Sequence, residues 1–240
     1  MKLIVESASK IGFCFGVKRC IDILEKAAQN YGSIESLGAP VHNQQELAKL
    51  ARQGIHIAAS ISEIHGGVAA ISAHGVGPLI EAELSSRFSE VLNTTCPFVH
   101  RTQIAAKRLA KAGFYVIVYG EANHPEVKGI LGWADGNGVA TLEHDFASQH
   151  DLPRRIGVLS QTTSIQNHFT EFAKNIIESA LVKDGEIRII DTICHDMRER
   201  QQSSLDVARR AEIMLVIGSR TSANSKHLAE LCGTVTKTHL

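Results

Sequence analysis

The chain lacks several features that would assign it at once to a familiar class of protein. Its 25 basic and 25 acidic residues cancel, and no basic stripe is present, so neither nucleic acid nor an anionic membrane is an expected partner. No run of about 18 apolar residues occurs, and residues 1–6 are too short and too soon charged for a signal peptide. We therefore expect a cytoplasmic protein without a membrane span.

Nucleotide, disulfide and zinc patterns are missing as well. There is no GxxxxGK[ST] and no well-placed GxGxxG, so the sequence does not imply a nucleotide. The five cysteines are odd in number and far apart, so they do not form the pattern of a disulfide framework. This cysteine usage favours a reducing compartment. The CxxC and HxxxH pairs typical of zinc sites are also absent.

What the chain does contain is one spacing pattern that occurs three times. Three cysteines are each followed by a glycine 24 residues later: Cys14 with Gly38, Cys96 with Gly120, and Cys194 with Gly218. Four and six residues past each glycine stand two polar side chains: His42 and Gln44, His124 and Glu126, Ser222 and Asn224. Three copies of one unit would place three thiols around a pseudo-threefold axis.

Short β-rich runs alternate with helical patterns, which predicts an α/β fold with largely parallel sheets and outer helices. The predicted strands are 3–7, 34–37, 56–59, 68–72, 91–94, 115–119, 156–160, 187–192 and 214–218. The predicted helices include 102–112, 165–181 and 204–211. The cysteine spacing divides the chain into lobes at 1–95, 96–193 and 194–240. The third lobe is the shortest, so we expect it to be incomplete or the chain to be truncated, with 234–240 a cut or frayed end.

The polar residues of interest occupy equivalent places in this pattern. Each directly follows a predicted strand: His42, His74, Cys96, His124, Thr162, Cys194 and Ser222. Because ligands of α/β folds bind outside the carboxyl ends of the strands, we expect these side chains to line one crevice.

Three convergent thiols favour an iron–sulfur cluster with one open iron position. Zinc would normally need a fourth protein ligand. A single nucleophilic cysteine, as in a cysteine-dependent hydrolase or transferase, would leave two equivalent cysteines unexplained. The other two, Cys20 and Cys232, are interpreted as small buried hydrophobic residues.

The second polar ring is suited to an anion. Imidazoles, a hydroxyl and an amide could bind a phosphate or diphosphate beside helix N-termini, although Ser222 and Asn224 would also serve as ordinary helix caps. Glu126 follows Pro125, which is typical of a helix start. In a closed pocket beside histidines, its carboxyl could instead deliver a proton to a leaving group.

Eight short strings run in order through nearly the whole chain and begin at the residues named here: Gly12 (GFCFGV), Val41 (VHN), Ser72 (SAHGV), Thr95 (TCP), His124 (HPEV), Gln161 (QTT), Asp191 (DTIC) and Ser222 (SANS). With these strings, the chain resembles the LytB/IspH family of 4-hydroxy-3-methylbut-2-enyl diphosphate reductases of the non-mevalonate isoprenoid pathway. Each string alone would be weak, whereas together they are highly specific.

The resemblance implies a trefoil of three α/β lobes around one [4Fe–4S] cluster per chain. Three irons would be bound by Cys14, Cys96 and Cys194, and the fourth by the substrate hydroxyl. The diphosphate would be bound by His42, His74, His124, Ser222 and Asn224. Glu126 would supply the proton, Thr162 would bind and position the hydroxyl, and His124 would also belong to the catalytic set.

The implied reaction is a two-electron reductive dehydroxylation that gives isopentenyl and dimethylallyl diphosphate, with ferredoxin or flavodoxin as electron donor. Three departures from the family pattern are visible, of which Asn93-Thr94-Thr95 in place of the commoner Asp-Ala-Thr before Cys96 is a mild one. The family continues with a further segment that adds a serine to the diphosphate site, and Met197 occupies a position where a hydroxyl residue is usual. A remnant of the family that binds cluster or diphosphate without turnover therefore remains the alternative.

Overall fold

The structure is a computed structural model that describes residues 4–182 and 184–240. Its first sheet has four parallel strands in the order β2-β1-β3-β4. These strands are β1 (Ile34–Leu37), β2 (Ile55–Ala58), β3 (Val68–Ile71) and β4 (Glu90–Asn93). Around them lie α1 (Phe15–Tyr31), α2 (Gln44–Arg52), a 3-10 turn (Ile61–Glu63) and α3 (Pro78–Arg87).

The second sheet repeats the same order of four parallel strands, β6-β5-β7-β8. Its strands are β5 (Tyr115–Tyr119), β6 (Gly138–Thr141), β7 (Arg155–Ser160) and β8 (Glu186–Ile189). The accompanying helices are α4 (Pro97–Lys111), α5 (Pro125–Trp133), α6 (Phe146–Gln149) and α7 (Gln166–Leu181). The predicted α/β fold with parallel sheets is thus confirmed.

The third sheet pairs two parallel strands, β9 (Ile213–Leu215) and β10 (Lys237–His239). Its helices are α8 (His195–Ala208) and α9 (Ala223–Gly233). By their order these strands correspond to β1 and β2, and the described residues contain no counterparts of β3 and β4 in this sheet. As a result, apolar side chains of this region face solvent, including Leu215 and Ile217.

Hydrophobic clusters cover the second sheet on both faces, with Phe172 and Phe114 fully buried in the two clusters. The first sheet is covered in the same way by two smaller clusters. Both faces of a parallel sheet need such cover because its strands are apolar on each side. No helix in the described part of the chain is long and apolar enough to cross a membrane.

Two close contacts join the helices of the first sheet to the helices of the second sheet. A methyl group added to Gly132 of α5 would lie 2.9 Å from the Cα atom of Gly77, the residue that caps α3. The indole nitrogen of Trp133 donates a hydrogen bond of 3.0 Å to the carbonyl oxygen of Val76. The two helices can approach this closely only because neither position carries a side chain.

Several element predictions are wrong. Residues 4–7 form no strand, because no neighbouring strand pairs with them, and Leu3 lies outside the described residues. Glu6 instead forms an ion pair with Arg210, in the turn that follows α8. The third-lobe helix predicted at 204–211 already begins at His195.

Two strands were missed. β6 contains glycine and alanine, which have low strand propensity, and is stabilised by pairing with β5. Residues 237–239, expected to be part of a cut or frayed end, pair with β9 as β10.

Candidate active site

Each of the three cysteines in the repeat occupies the same structural position, the N-cap of a helix. Cys14 caps α1, Cys96 caps α4 and Cys194 caps α8, and the backbone of Cys14 and Cys194 is extended. Backbone N–H groups at such positions face the side chain and favour an anionic sulfur. The sulfur of Cys194 accepts a hydrogen bond of 3.3 Å from the backbone N–H of Met197.

The three thiols lie in one neighbourhood, although they come from three parts of the chain. A methyl group on Gly16, two residues after Cys14, would lie 2.5 Å from the sulfur of Cys96. Burial raises the pKa of Cys194 to about 12, and the charges of Cys14, Glu126 and Cys96 contribute to that rise. Burial likewise raises the pKa of Cys96, with further contributions from Cys14 and Glu126.

The remaining cysteines are more deeply buried than these three. Cys20 and Cys232 are fully buried, as interpreted from sequence. The sulfur of Cys20 lies 3.0 Å from the hydroxyl of Thr94. Cys14, Cys96 and Cys194 are by contrast half-buried free thiols. Three accessible thiols at helix N-termini form a donor set that fits an iron–sulfur cluster.

Three histidines that follow different strands converge on one point. The ring centroids of His42 and His74 are 5.0 Å apart, those of His74 and His124 are 5.3 Å apart, and those of His42 and His124 are 6.2 Å apart. One nitrogen from each ring lies within 4.8 Å of the others. The Nε2 atom of His42 is buried and has no hydrogen-bond partner in the protein. It is therefore available to a ligand.

These imidazoles are neutral near pH 7. Burial lowers the pKa of His74 to about 3 and that of His124 to about 4. Burial also lowers the pKa of His42, and the positive charge of Lys226 lowers it further. Three neutral imidazoles could ligate zinc. A lysine charge directed at two of them, His42 and His124, disfavours a cation and favours an anion.

Glu126 connects the histidine cluster to the thiols. It occupies the first turn of α5, two residues after His124, whose Nδ1 atom accepts a hydrogen bond of 3.2 Å from the backbone N–H of Glu126. Its side chain is 3 % exposed, and one carboxylate oxygen accepts a hydrogen bond of 2.7 Å from the backbone N–H of Thr162. Burial raises the pKa of Glu126, although the hydrogen bonds from Thr162 oppose that rise.

Thr162 lies in the turn after β7. Residues of α8 and α9, and the residue that caps α8, form hydrogen bonds to this turn. The carbonyl oxygen of Thr162 accepts a hydrogen bond of 2.9 Å from the backbone N–H of Cys194. The carbonyl oxygen of Thr163 lies 2.6 Å from Nδ1 of His227 in α9. The amide of Gln201 in α8 donates a bond of 3.0 Å to Ser164.

Ser222 and Asn224 stand at the start of α9, both partly buried. Ser222 caps the helix, and its hydroxyl accepts a bond of 3.4 Å from the backbone N–H of Ser225. Lys226 and His227 follow Ser225 in the same helix, and their charges lower the pKa of His124, so the start of α9 lies near the histidine cluster. The capping role expected for Ser222 is therefore observed beside the predicted anion site.

Lys226 and His227 were not identified from the sequence. A signal for Lys226 was present, since a cation two residues after Asn224 lies in the first turn of the same helix. His227 gave no comparable signal, because its contact with Thr163 joins residues 64 positions apart.

The LytB protein family model matches residues 5–240. The chain belongs to this family. A member from Dehalococcoides mccartyi (strain CBDB1), named 4-hydroxy-3-methylbut-2-enyl diphosphate reductase, is 58% identical over 237 residues, which cover 98% of this chain and 84% of that protein. A LytB relative of the same name from Geotalea uraniireducens (strain Rf4) is 38% identical over 233 residues, covering 97% and 80%.

Solved structures agree with the LytB assignment. A structure of (E)-4-hydroxy-3-methyl-but-2-enyl diphosphate reductase, described as the terminal enzyme of the non-mevalonate pathway, superimposes with a TM-score of 0.73 at 30% identity, covering 97% of this chain and 83% of that one. A Plasmodium falciparum reductase gives a TM-score of 0.86 at 24% identity, with coverage of 97% and 74%, and supports the fold. The family resemblance inferred from the sequence strings is thus confirmed.

Proposed function

We propose that this LytB protein is a 4-hydroxy-3-methylbut-2-enyl diphosphate reductase. In the reaction, the allylic C–O bond breaks, two electrons and two protons enter, and the oxygen leaves as water. The products are isopentenyl and dimethylallyl diphosphate. The observation that carries the proposal is the convergence of thiols, one buried carboxyl and neutral imidazoles in a single region.

The thiols of Cys14, Cys96 and Cys194 are proposed to bind one [4Fe–4S] cluster per chain. Their shared N-cap positions and the close approach of Gly16 to Cys96 support this assignment. A cluster with three protein ligands supplies electrons and one Lewis-acidic iron. The protein's contribution is to present the thiols at three helix N-termini that stabilise negative charge.

The diphosphate is proposed to bind to the histidine cluster and the start of α9. Neutral imidazoles donate N–H groups to phosphate oxygens, and the unpartnered Nε2 of His42 is one such donor. The hydroxyl of Ser222 and the amide of Asn224 add further donors beside a helix N-terminus. The residues of this proposed site are His42, His74, His124, Ser222 and Asn224.

Glu126 is proposed as the acid that protonates the leaving oxygen. Burial raises its pKa and so keeps the carboxyl in the protonated form to higher pH than usual. Thr162 is proposed to orient both that carboxyl, through the 2.7 Å bond from its backbone N–H, and the substrate hydroxyl, through its side chain. His124 belongs to the same catalytic set because it binds the backbone of Glu126 directly.

Two further elements complete the proposal. The electrons would come from a ferredoxin or flavodoxin, and the three lobes would comprise 1–95, 96–193 and 194–240. The repeated strand order of the first two sheets supports this division.

The test begins with anaerobic reconstitution of this chain, followed by iron and sulfide analysis and an EPR spectrum. Turnover is then assayed with a chemically reduced viologen dye, and the two products are separated by chromatography. We expect about four irons per chain, as in a cubane cluster, and both products. A chain that binds the cluster but releases no product would be a binding remnant, and a chain without iron would contradict the cofactor assignment.

A further inference from the structure

A groove of about 510 Å³ lies between α4 and the end of β8, and none of its lining residues belongs to the histidine cluster. Its walls combine three arginines with an apolar floor: Arg101, Arg108, Arg188, Ile104, Leu109 and Ile190. Arg101 and Arg108 lie two helical turns apart on the same side of α4, about 10.5 Å along its axis. The groove is therefore basic along its length and apolar between the charges.

The positive charge of this groove is largely uncompensated. Among the salt bridges of the described residues, none involves Arg101 or Arg108, and both side chains are exposed. Arg188 does have an acidic partner, Glu186, but Arg155 donates to the same carboxylate at 2.9 Å. One carboxylate thus faces two guanidinium groups.

Part of the groove is rigid before any partner binds. The guanidinium carbons of Arg155 and Arg188 each lie 4.4 Å from the centre of the Phe114 ring, which is itself fully buried. Such stacking fixes the arginine planes and reduces the entropy lost on binding. Ile190, which is 38% exposed, is held at the sheet by a 2.9 Å backbone bond to Val158.

The groove adjoins two of the proposed cluster ligands. Arg101 is five residues beyond Cys96 on α4, which corresponds to about 7.5 Å of axial rise. Ile190 precedes Cys194 by four residues. One end of the basic groove thus lies next to the segments that carry Cys96 and Cys194.

From this placement we propose that the groove is the docking surface for an acidic electron-carrier protein. The inference rests on the proposed function, which requires two electrons per turnover from outside the chain. The sequence contains no dinucleotide-binding motif that could supply them as hydride. Unpaired arginines would steer an acidic carrier, and the apolar floor would contact it closely beside the cluster ligands.

The experiment measures binding of an acidic plant-type ferredoxin to the cluster-loaded chain by titration calorimetry at low ionic strength. Arg101→Glu/Arg108→Glu should weaken binding by about tenfold or more and flatten its salt dependence. Arg101→Gln/Arg108→Gln, which removes charge without reversing it, should give an intermediate loss. The matched control is Lys26→Glu/Arg52→Glu, which makes the same charge change at exposed sites on α1 and α2.

Two rate measurements separate this inference from the proposed function. Ferredoxin-driven turnover should fall in the groove variant, whereas turnover driven by a reduced viologen dye should not change. Unaltered ferredoxin affinity in the groove variant, or an equal loss in the control, would overturn the docking surface. Tighter binding of a single-stranded RNA oligonucleotide through the same arginines would overturn it in favour of nucleic acid. If viologen supports no turnover by the unaltered chain, the proposed function fails, while binding still tests the groove.

Discussion

The carboxylate of Glu126 and the backbone N–H of Thr162 are joined by a buried hydrogen bond of 2.7 Å. The bond links the first turn of α5 to the turn after β7, so the carboxyl is held between the histidine cluster and the thiols. A carboxyl fixed by backbone has little freedom to turn away from a substrate. This contact underlies the first prediction.

Glu126→Gln should keep the cluster and lower turnover by at least about 100-fold, since general acids contribute about 10²–10⁴. Glutamine retains the acceptor for the Thr162 N–H but has no proton to give. In the unaltered chain, turnover should fall as pH rises through the raised pKa of Glu126, because only the protonated carboxyl is active. The variant should not show this fall in turnover with rising pH. Normal turnover at equal iron content would remove Glu126 from the mechanism.

Substitution of any cysteine in the repeat should abolish stable cluster binding. Cys14→Ser, Cys96→Ser and Cys194→Ser each remove one of three thiols, and a hydroxyl is a poor iron ligand in its place. The control is Cys20→Ala, which removes a buried thiol outside this group. Iron and sulfide analysis after reconstitution should show loss in the three variants and retention in the control. A full cluster in any of the three would refute the assignment.

Gly16→Ala should reduce cluster occupancy although it changes no ligand. The added methyl would fall 2.5 Å from the sulfur of Cys96, so either the sulfur or α1 must move. A backbone or sulfur shift of this kind typically costs about 1–3 kcal/mol. Gly233→Ala is the matched control, because a methyl there meets nothing within 4 Å. Equal iron content in both variants would show that the Gly16 contact is unimportant.

Lys226→Gln should weaken the binding of inorganic pyrophosphate several-fold at low salt. The lysine charge acts on both His42 and His124, which places it within reach of an anion at the histidine cluster. An exposed charge of this kind contributes up to about 1 kcal/mol, corresponding to about fivefold in affinity. Lys237→Gln on β10 provides the control. Titration calorimetry that shows the same affinity for both variants would contradict this placement of Lys226.

The cluster-free chain should lose stability as pH falls below about 6.5, partly because of His74. The unfolded histidine takes up a proton near its ordinary pKa of about 6.5, whereas the folded one does so only near 3. Between these values the unfolded state binds more protons, so the free energy of unfolding drops by about 1.4 kcal/mol per pH unit for this group. His74→Asn should show a shallower decline in urea unfolding between pH 6.5 and 5. Identical slopes would disprove the effect.

Much of the fold could be predicted from sequence because its signals are local. Apolar runs bounded by polar turns placed β1 and β5 at their observed residues. The rule that ligands lie at carboxyl ends of strands brought His42, His74 and His124 together from positions far apart in the chain. The repeated spacing also identified the three cysteines that cap helices in the structure.

What could not be predicted depends on contacts between distant segments. Nothing near Glu126 in sequence indicates the backbone N–H of Thr162, 36 residues away, that fixes its carboxyl. The apolar residues 4 and 5 favour a strand by composition, but a strand needs a partner and the described structure offers none there. Conversely, β6 forms because it pairs with β5, and this pairing outweighs the weak strand propensity of the residues in β6.

The glycine contact between Gly77 and Gly132 has a consequence for the thermodynamics of ligand capture. It locks the turn that carries His74 against the helix that His124 caps, so the two rings are ordered when the chain folds. Their configurational entropy is lost at that stage and not when an anion arrives. Calorimetry should therefore find that these two rings add little to the entropic cost of diphosphate binding, leaving the ordering cost to groups outside this contact.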